Sequence, residues 1–299
     1  MNCIYSMRVP FLQSIIIVHK TIFMKSLVFA CFCSISIISF AQPVKNRSSI
    51  VNFLEQKIEK GEPLVAHVLV PLCDNEHQGI VPTSASIGNG MDPDHNLYWM
   101  TSKGVKRYFR DLPDWKMIET YENVRTDILE RAVFLKTFEN GAKVILVADA
   151  YRGDRMHECL NDYFNSLSGF FLDSVLVDDV YFQINGNADL VAFNGHNGLM
   201  DESTTYQPAT VSTKPKDAVS ISCASGGYFK DHYWQTSSYP LVHTTNLLYP
   251  GAFILEGILN KWAMLGDEEA CKKAAGNAYY KHKPKSGPNG SQNLFDFGW

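Results

Sequence analysis

Basic charge is scarce in this sequence. The 299 residues include 27 Lys and Arg against 31 Asp and Glu, which gives a formal net charge of -4. Binding to nucleic acid requires a clustered excess of Lys and Arg that neutralises phosphates. The nearest such cluster, Lys281, Lys283 and Lys285, is a short run typical of a solvated tail. The charge balance therefore argues against nucleic acid as a partner.

Two motifs of common enzyme classes are also absent. The chain has no glycine-rich phosphate loop and no Gly-Xaa-Ser-Xaa-Gly elbow. The first motif cradles the phosphates of a nucleotide, and the second exposes a nucleophilic serine on a sharp turn. Their absence argues against the kinase and serine-hydrolase classes.

Cysteines are few and far apart. Three of the seven lie within the first 41 residues, and the other four are Cys73, Cys159, Cys223 and Cys271. Four widely spaced cysteines do not make a disulfide scaffold, although one or two bridges are permitted in an oxidising compartment. A bridge from Cys223 to one of the other three is therefore an open alternative, and an unpaired cysteine there needs a reason to exist.

The N-terminus predicts export. Met24 and Lys25 give a positive start, and residues 26–40 are almost wholly apolar or small, too short a run for a membrane span of about 20 residues. Small residues then stand at Ser39 and Ala41, ahead of a cut. This pattern predicts a signal peptide at residues 1–41, with Met24 as the true start. The mature chain is then periplasmic or extracellular, with no stable membrane span; a two-helix membrane anchor is the alternative.

Apolar runs that alternate with helical patterns predict the fold class. Such alternation is typical of a mostly parallel central sheet flanked by helices on both faces. We expect a polar segment and helix at residues 42–62, followed by one α/β domain at residues 63–299. The predicted strands are 63–71, 132–138, 144–148, 190–193, 218–222 and 239–248, and the predicted helices are 50–60, 97–109, 154–164, 251–264 and 267–280.

Two of these strands are followed by side chains that can take part in catalysis. His196 and Cys223 are 27 residues apart, enough for one crossover between neighbouring parallel strands. Ligands bind at the carboxyl ends of such strands, which lie about 4.8 Å apart. An imidazole can accept the proton of a thiol and make it nucleophilic, and the flanking glycines allow backbone N–H groups to approach a substrate. The pattern therefore favours a Cys/His dyad.

The two motifs resemble a known clan. Gly195-His196-Asn197-Gly198 and Ser222-Cys223-Ala224-Ser225-Gly226 are similar to the strand ends of the caspase–legumain–gingipain cysteine peptidases. The second is closest to the legumain and GPI-transamidase branch, whose strand typically ends Ala-Cys-Glu-Ser-Gly. The resemblance implies a caspase-like three-layer sandwich, with Cys223 as nucleophile and His196 as its partner. It also implies an oxyanion hole from the N–H groups of Cys223 and of Asn197 or Gly198.

A third segment carries a partial match. Residues 74–78, Asp-Asn-Glu-His-Gln, resemble the Asn-Tyr-Arg-His-Gln of legumains, where the Asn orients the catalytic His and an Arg-His pair helps line the substrate pocket. Asp74 stands at the Asn position, Glu76 at the Arg position, and His77 matches. The resemblance therefore implies Asp74, Glu76 and His77 as pocket residues, together with Ser225, but it does not carry over a preference for asparagine.

The expected function is that of an exported cysteine endopeptidase of the legumain type, or a transpeptidase, acting on a peptide or protein without a cofactor. The alternative is a catalytically inactive relative that binds peptide or glycan in the same crevice, since a cysteine at a strand end is often a small buried hydrophobe. A metal site at Cys73, His77 and His95 is a weaker alternative, because a structural zinc site needs a fourth ligand. We therefore expect no metal.

Overall fold

The computed structural model describes residues 44, 46–201, 214–234, 236 and 238–299. The predicted signal peptide at residues 1–41 lies outside the described residues. Among the described helices, none is both long and apolar enough to span a membrane.

A mixed sheet of eight strands forms the centre of the fold, and the elements follow the alternation that the sequence predicts. In chain order they are α1 Ser48–Glu59, β1 Leu64–Pro71, α2 Val105–Asp111, β2 Lys116–Arg125, β3 Ile128–Thr137, β4 Lys143–Tyr151, α3 Met156–Ser168, β5 Leu172–Val177, β6 Val180–Asn185, β7 Leu190–Asn194, β8 Lys216–Ile221, α4 Ser225–Tyr233, β9 Ser238–Thr244, α5 Ala252–Trp262, α6 Glu268–His282, α7 Pro288–Gln292 and β10 Phe295–Asp296.

The strand order in this sheet is β10-β9-β8-β7-β1-β4-β3-β2. The five central strands, β9 to β4 in that order, are parallel, whereas β10, β3 and β2 run antiparallel to their neighbours. The edge strand β2 is largely exposed, and its pairing with β3 has two register shifts. A separate hairpin is formed by β5 and β6.

Both faces of the sheet are covered. Alternate residues of β1 point to opposite sides, so that Leu64 and Val68 join one apolar core while Val65 and Leu69 join the other. The first core contains residues of α1, α2, α5 and α6, and the second contains residues of α3, α4 and the β5–β6 hairpin. The predicted α/β class with helices on both faces is therefore confirmed.

Several sequence patterns were misread. The predicted helix at residues 97–109 begins only at Val105, because Gly104 before it is extended, with a φ of -78° and a ψ of 154°. The predicted helix at residues 154–164 is α3, which begins at Met156, and the Asp154 carboxylate before it pairs with Arg152. The C-terminal tail contains α7 and β10, which the sequence pattern did not predict. The strands β2, β5 and β6 were missed.

Two ionisable residues of β8 lie in the interior. Asp217 is fully buried and accepts hydrogen bonds from the guanidinium of Arg47, just before α1. Lys216 is also fully buried, and its ammonium donates to the carbonyl oxygens of Leu167 and Lys214. The chain before α1 is thus joined to the central sheet by a buried ion pair.

Candidate functional site

The loops that carry His196 and Cys223 follow neighbouring parallel strands. The last registered pair of β7 and β8 is Asn194 with Ile221, so His196 and Cys223 each come two residues after that pair. The backbone N–H of Gly195 continues the ladder by donating to Ile221 at 3.1 Å. Both residues therefore lie at the same edge of the sheet, where parallel α/β sheets bind their ligands.

Asn197 joins the two loops. It is fully buried, and its Nδ2 donates to the carbonyl oxygen of Cys223 at 2.6 Å, while its Oδ1 accepts from the N–H of Leu199 at 3.1 Å. Its φ is -81°, so the turn after His196 does not use the left-handed conformation that glycine favours. A side-chain hydrogen bond sets the geometry of this turn.

His196 is paired with a carboxylate that the sequence did not single out. Its Nε2 lies 2.7 Å from Oδ2 of Asp201, whose side chain is 28% exposed. The same oxygen accepts the N–H of Gly79, in the loop after β1, at 3.0 Å. A Cβ at Gly79 would lie 2.2 Å from Asp201 Oδ1, so a side chain at this position would displace the carboxylate. Asp201 stands in a polar stretch with no motif of its own, which explains why sequence reasoning missed it.

Cys223 is the only partly exposed cysteine among the described residues. All four described cysteines are free, and Cys73, Cys159 and Cys271 are fully buried. Burial raises the pKa of Cys73 and of Cys271 to about 12 and raises that of Cys159 well above its ordinary value. The Cys223 Sγ lies 3.5 Å from the carbonyl oxygen of Leu248, and within the described residues it makes no hydrogen bond to His196.

The residue after Cys223 holds an unusual backbone conformation. Ala224 has a φ of 49° and immediately precedes α4, and its N–H donates to the carbonyl of Asn246 at 3.0 Å. A left-handed conformation costs an alanine about 1–2 kcal/mol. None of the described residues accepts a hydrogen bond from the backbone N–H of Cys223 or of Asn197. Both backbone N–H groups thus have no acceptor in the described part of the chain, although Asn197 itself is buried.

The segment after β1 is folded around Asp74. This buried carboxylate accepts hydrogen bonds from the N–H groups of Glu76 and His77, and its Oδ2 lies 3.0 Å from Nδ1 of His77. Asp74 therefore stabilises its own turn. The carboxylate that contacts His196 is that of Asp201. The side chains of Glu76 and His77 are exposed, and the Gly79 N–H links the segment to the His196 loop.

Ser225 serves the packing of the strand ends. Its side chain is fully buried, and its hydroxyl is hydrogen-bonded to the Ser220 carbonyl and to Thr244 Oγ1. Two of the motif glycines also have packing roles. A Cβ at Gly198 would lie 2.2 Å from Met156 Cγ, and one at Gly226 would lie 2.5 Å from the His243 ring. These two glycines allow close packing at the strand ends.

The residues of the alternative metal site are not brought together. Cys73 is buried, His77 contacts Asp74, and the exposed His95 places its Nδ1 2.8 Å from Asp92 Oδ2. In the described part of the chain, no three His, Cys, Asp or Glu side chains are grouped as metal ligands would be.

Comparison of the chain with protein-family models, with curated proteins and with solved structures finds no match. Any assignment of function therefore has to come from the residues at the sheet edge.

Proposed function

We propose that this protein is an exported, caspase-like cysteine peptidase or transpeptidase in which Cys223 and His196 carry out acyl transfer. The observation that carries the proposal is the hydrogen bond from Asn197 Nδ2 to the Cys223 carbonyl, 2.6 Å long, which joins the two loops at the ends of adjacent strands. Further support comes from the partial exposure of Cys223 beside three fully buried cysteines.

The chemistry follows from these groups. The imidazole of His196 takes the thiol proton, and the Cys223 sulfur attacks the carbonyl carbon of a peptide bond. The carbonyl oxygen gains negative charge, which the N–H groups of Cys223 and of Asn197 or Gly198 stabilise. His196 then returns the proton to the leaving amine as the C–N bond breaks. Water or another amine cleaves the thioester, which releases an acid or a new amide and restores the thiol.

Covalent labelling tests the nucleophile. We expect a peptide acyloxymethyl ketone to label the mature chain once, and we expect Cys223→Ala to abolish the labelling because the attacking sulfur is gone. Mass spectrometry of the intact chain measures the adduct. The matched control is Cys271→Ala, which removes a buried thiol of α6 and should leave the labelling unchanged. Normal labelling of the Cys223 variant would refute the assignment.

His196→Ala tests the proton acceptor. The variant should keep the circular dichroism spectrum of the parent chain and lose turnover of peptide substrates, by about 100-fold or more, which is typical for loss of a general acid–base group. The spectrum separates loss of activity from loss of folding. Full turnover by a folded His196→Ala variant would remove this residue from the mechanism.

One observation favours a second candidate, a non-catalytic module that binds peptide or glycan. The Cys223 Sγ contacts the Leu248 carbonyl, and His196 contacts Asp201, instead of each other. Thiol reactivity separates the two candidates. An activated Cys223 alkylates quickly at mildly acidic pH, whereas an inert one reacts only at alkaline pH or after unfolding.

A further inference from the structure

The pairing of His196 with Asp201 fixes which ring nitrogen is available for chemistry. Asp201 Oδ2 accepts hydrogen bonds, so the Nε2 that lies 2.7 Å away carries a proton. The neutral ring then has its lone pair on Nδ1, for which the described residues provide no hydrogen-bond partner. Only about a tenth of the His196 side chain is exposed, so water competes weakly for this arrangement. Carboxylates that hold a histidine in one tautomer act in this way.

The carboxylate is itself held in place. The N–H of Gly79 donates to the same oxygen at 3.0 Å, and a side chain at Gly79 would displace the Asp201 carboxylate from this position. The loop after β1 therefore positions Asp201, and Asp201 in turn positions the His196 ring in the loop after β7. The segment that the sequence placed at the substrate pocket is connected to His196 through this carboxylate.

We infer that Asp201 is the positioning residue of the dyad: it holds His196 with Nδ1 as the proton acceptor for Cys223 and stabilises the imidazolium that forms. The inference rests on the proposed function. When the thiol proton moves to Nδ1, the ring becomes a cation next to the Asp201 carboxylate, and the thiolate is favoured at lower pH. The titratable side chains near the site also include Asp74, Glu76 and His77 after β1, and Asp154 and Arg155 before α3. Tyr98 interacts electrostatically with Cys223, and Tyr249 and Cys73 interact with Tyr98.

The experiment measures the rate of Cys223 alkylation by iodoacetamide as a function of pH, with the modified peptide quantified by mass spectrometry. We expect Asp201→Asn to move the profile about one unit toward higher pH and to slow alkylation at pH 6 by about 10-fold, within the range seen when the partner of a functional histidine is removed. Asp201→Glu should recover part of the rate, because it restores the negative charge.

The matched control is Asp92→Asn, which removes the carboxylate of another Asp–His pair, the exposed one with His95. It should leave the profile unchanged. Thermal unfolding of each variant shows whether Asp201→Asn is folded. If it is not, the test uses Asp201→Glu alone, for which we expect the pH profile of alkylation to shift by less than one unit.

The outcomes separate the inference from the proposed function. A profile for the folded Asp201 variants that superimposes on that of the parent chain, while His196→Ala shifts it, would overturn the role of Asp201 and leave the dyad intact. If His196→Ala also leaves the profile unchanged, the dyad itself fails. A shift in both variants supports both.

Discussion

Replacing Arg47 by methionine should lower the free energy of unfolding by about 3–5 kcal/mol at pH 7, the usual result of removing one partner of a buried ion pair. Asp217 is fully buried, and Arg47 gives it three hydrogen bonds of 2.8 to 3.0 Å. Trp262 Nε1 also donates to it at 2.9 Å. A single indole N–H cannot compensate a carboxylate that has lost its counter-ion.

The loss should be smaller at acidic pH. Burial already raises the pKa of Asp217, although the charge of Arg47 opposes the shift, so Arg47→Met raises this pKa further. A carboxyl whose pKa is higher in the folded state than in the unfolded state loses stability as pH rises through that interval. The deficit of the variant therefore grows from about pH 4 upward, which urea unfolding at several pH values measures.

Two variants make this test specific. Arg107→Met removes the exposed pair with Asp111, in which both side chains are about half exposed, and should cost less than about 1 kcal/mol. The double variant Arg47→Met with Asp217→Asn removes both buried charges and should be more stable at pH 7 than Arg47→Met alone. Equal losses for the Arg47 and Arg107 variants would contradict the interpretation.

Lys216→Met should stabilise the protein at neutral pH. Burial, assisted by the charge of Lys214, lowers the pKa of Lys216 to about 7, and among the described residues its ammonium has only carbonyl acceptors, at 3.1 and 3.4 Å. The nearby charge of Asp189 only partly opposes this shift. At or below pH 7 the folded state must therefore accommodate a poorly solvated charge, whereas methionine fills a similar volume without one.

The pH dependence gives the sign of the effect. The unfolded lysine titrates near pH 10.4, so between pH 7 and pH 10 the unfolded state binds more protons and the parent chain gains stability as pH rises. The advantage of Lys216→Met over the parent should therefore shrink by about 3–4 kcal/mol across that interval. Lys143→Met, at the exposed first position of β4, is the control and should show no such trend. A constant difference between Lys216→Met and the parent would contradict the buried-charge explanation.

Residues that are apolar and buried on both faces of the sheet were the easiest to place from sequence. The eight residues of β1 are all buried and form a continuous apolar run apart from His67. Such a run predicts both that the segment is a strand and that the strand is central in the sheet. The exposed β2 has no such run. The β5–β6 hairpin had a signal that was overlooked: Asp178 and Asp179 form a two-residue turn with φ of 47° and 63°, between two runs of strand-forming residues.

The candidate site was predictable only in part. His196 and Cys223 could be placed because short apolar strands end just before them, and such ends meet at one edge of a parallel sheet. Asp201 could not, because its contact depends on the path of a loop with no periodic pattern. Asp74 was placed in the substrate pocket on the resemblance alone, whereas its carboxylate is hydrogen-bonded to its neighbours in the chain, Glu76 and His77. Local hydrogen bonds of this kind are set by loop geometry.

The two edge strands of the central sheet affect whether another polypeptide can pair with the sheet. At one end β2 breaks register twice and carries exposed charges at Lys116, Glu119 and Glu122, and at the other end the sheet finishes on the two-residue β10. Both features discourage an incoming polypeptide from adding as a further strand. In the described chain these two borders are therefore poorer templates for the growth of fibrils than a flat, regular and uncharged edge strand would be.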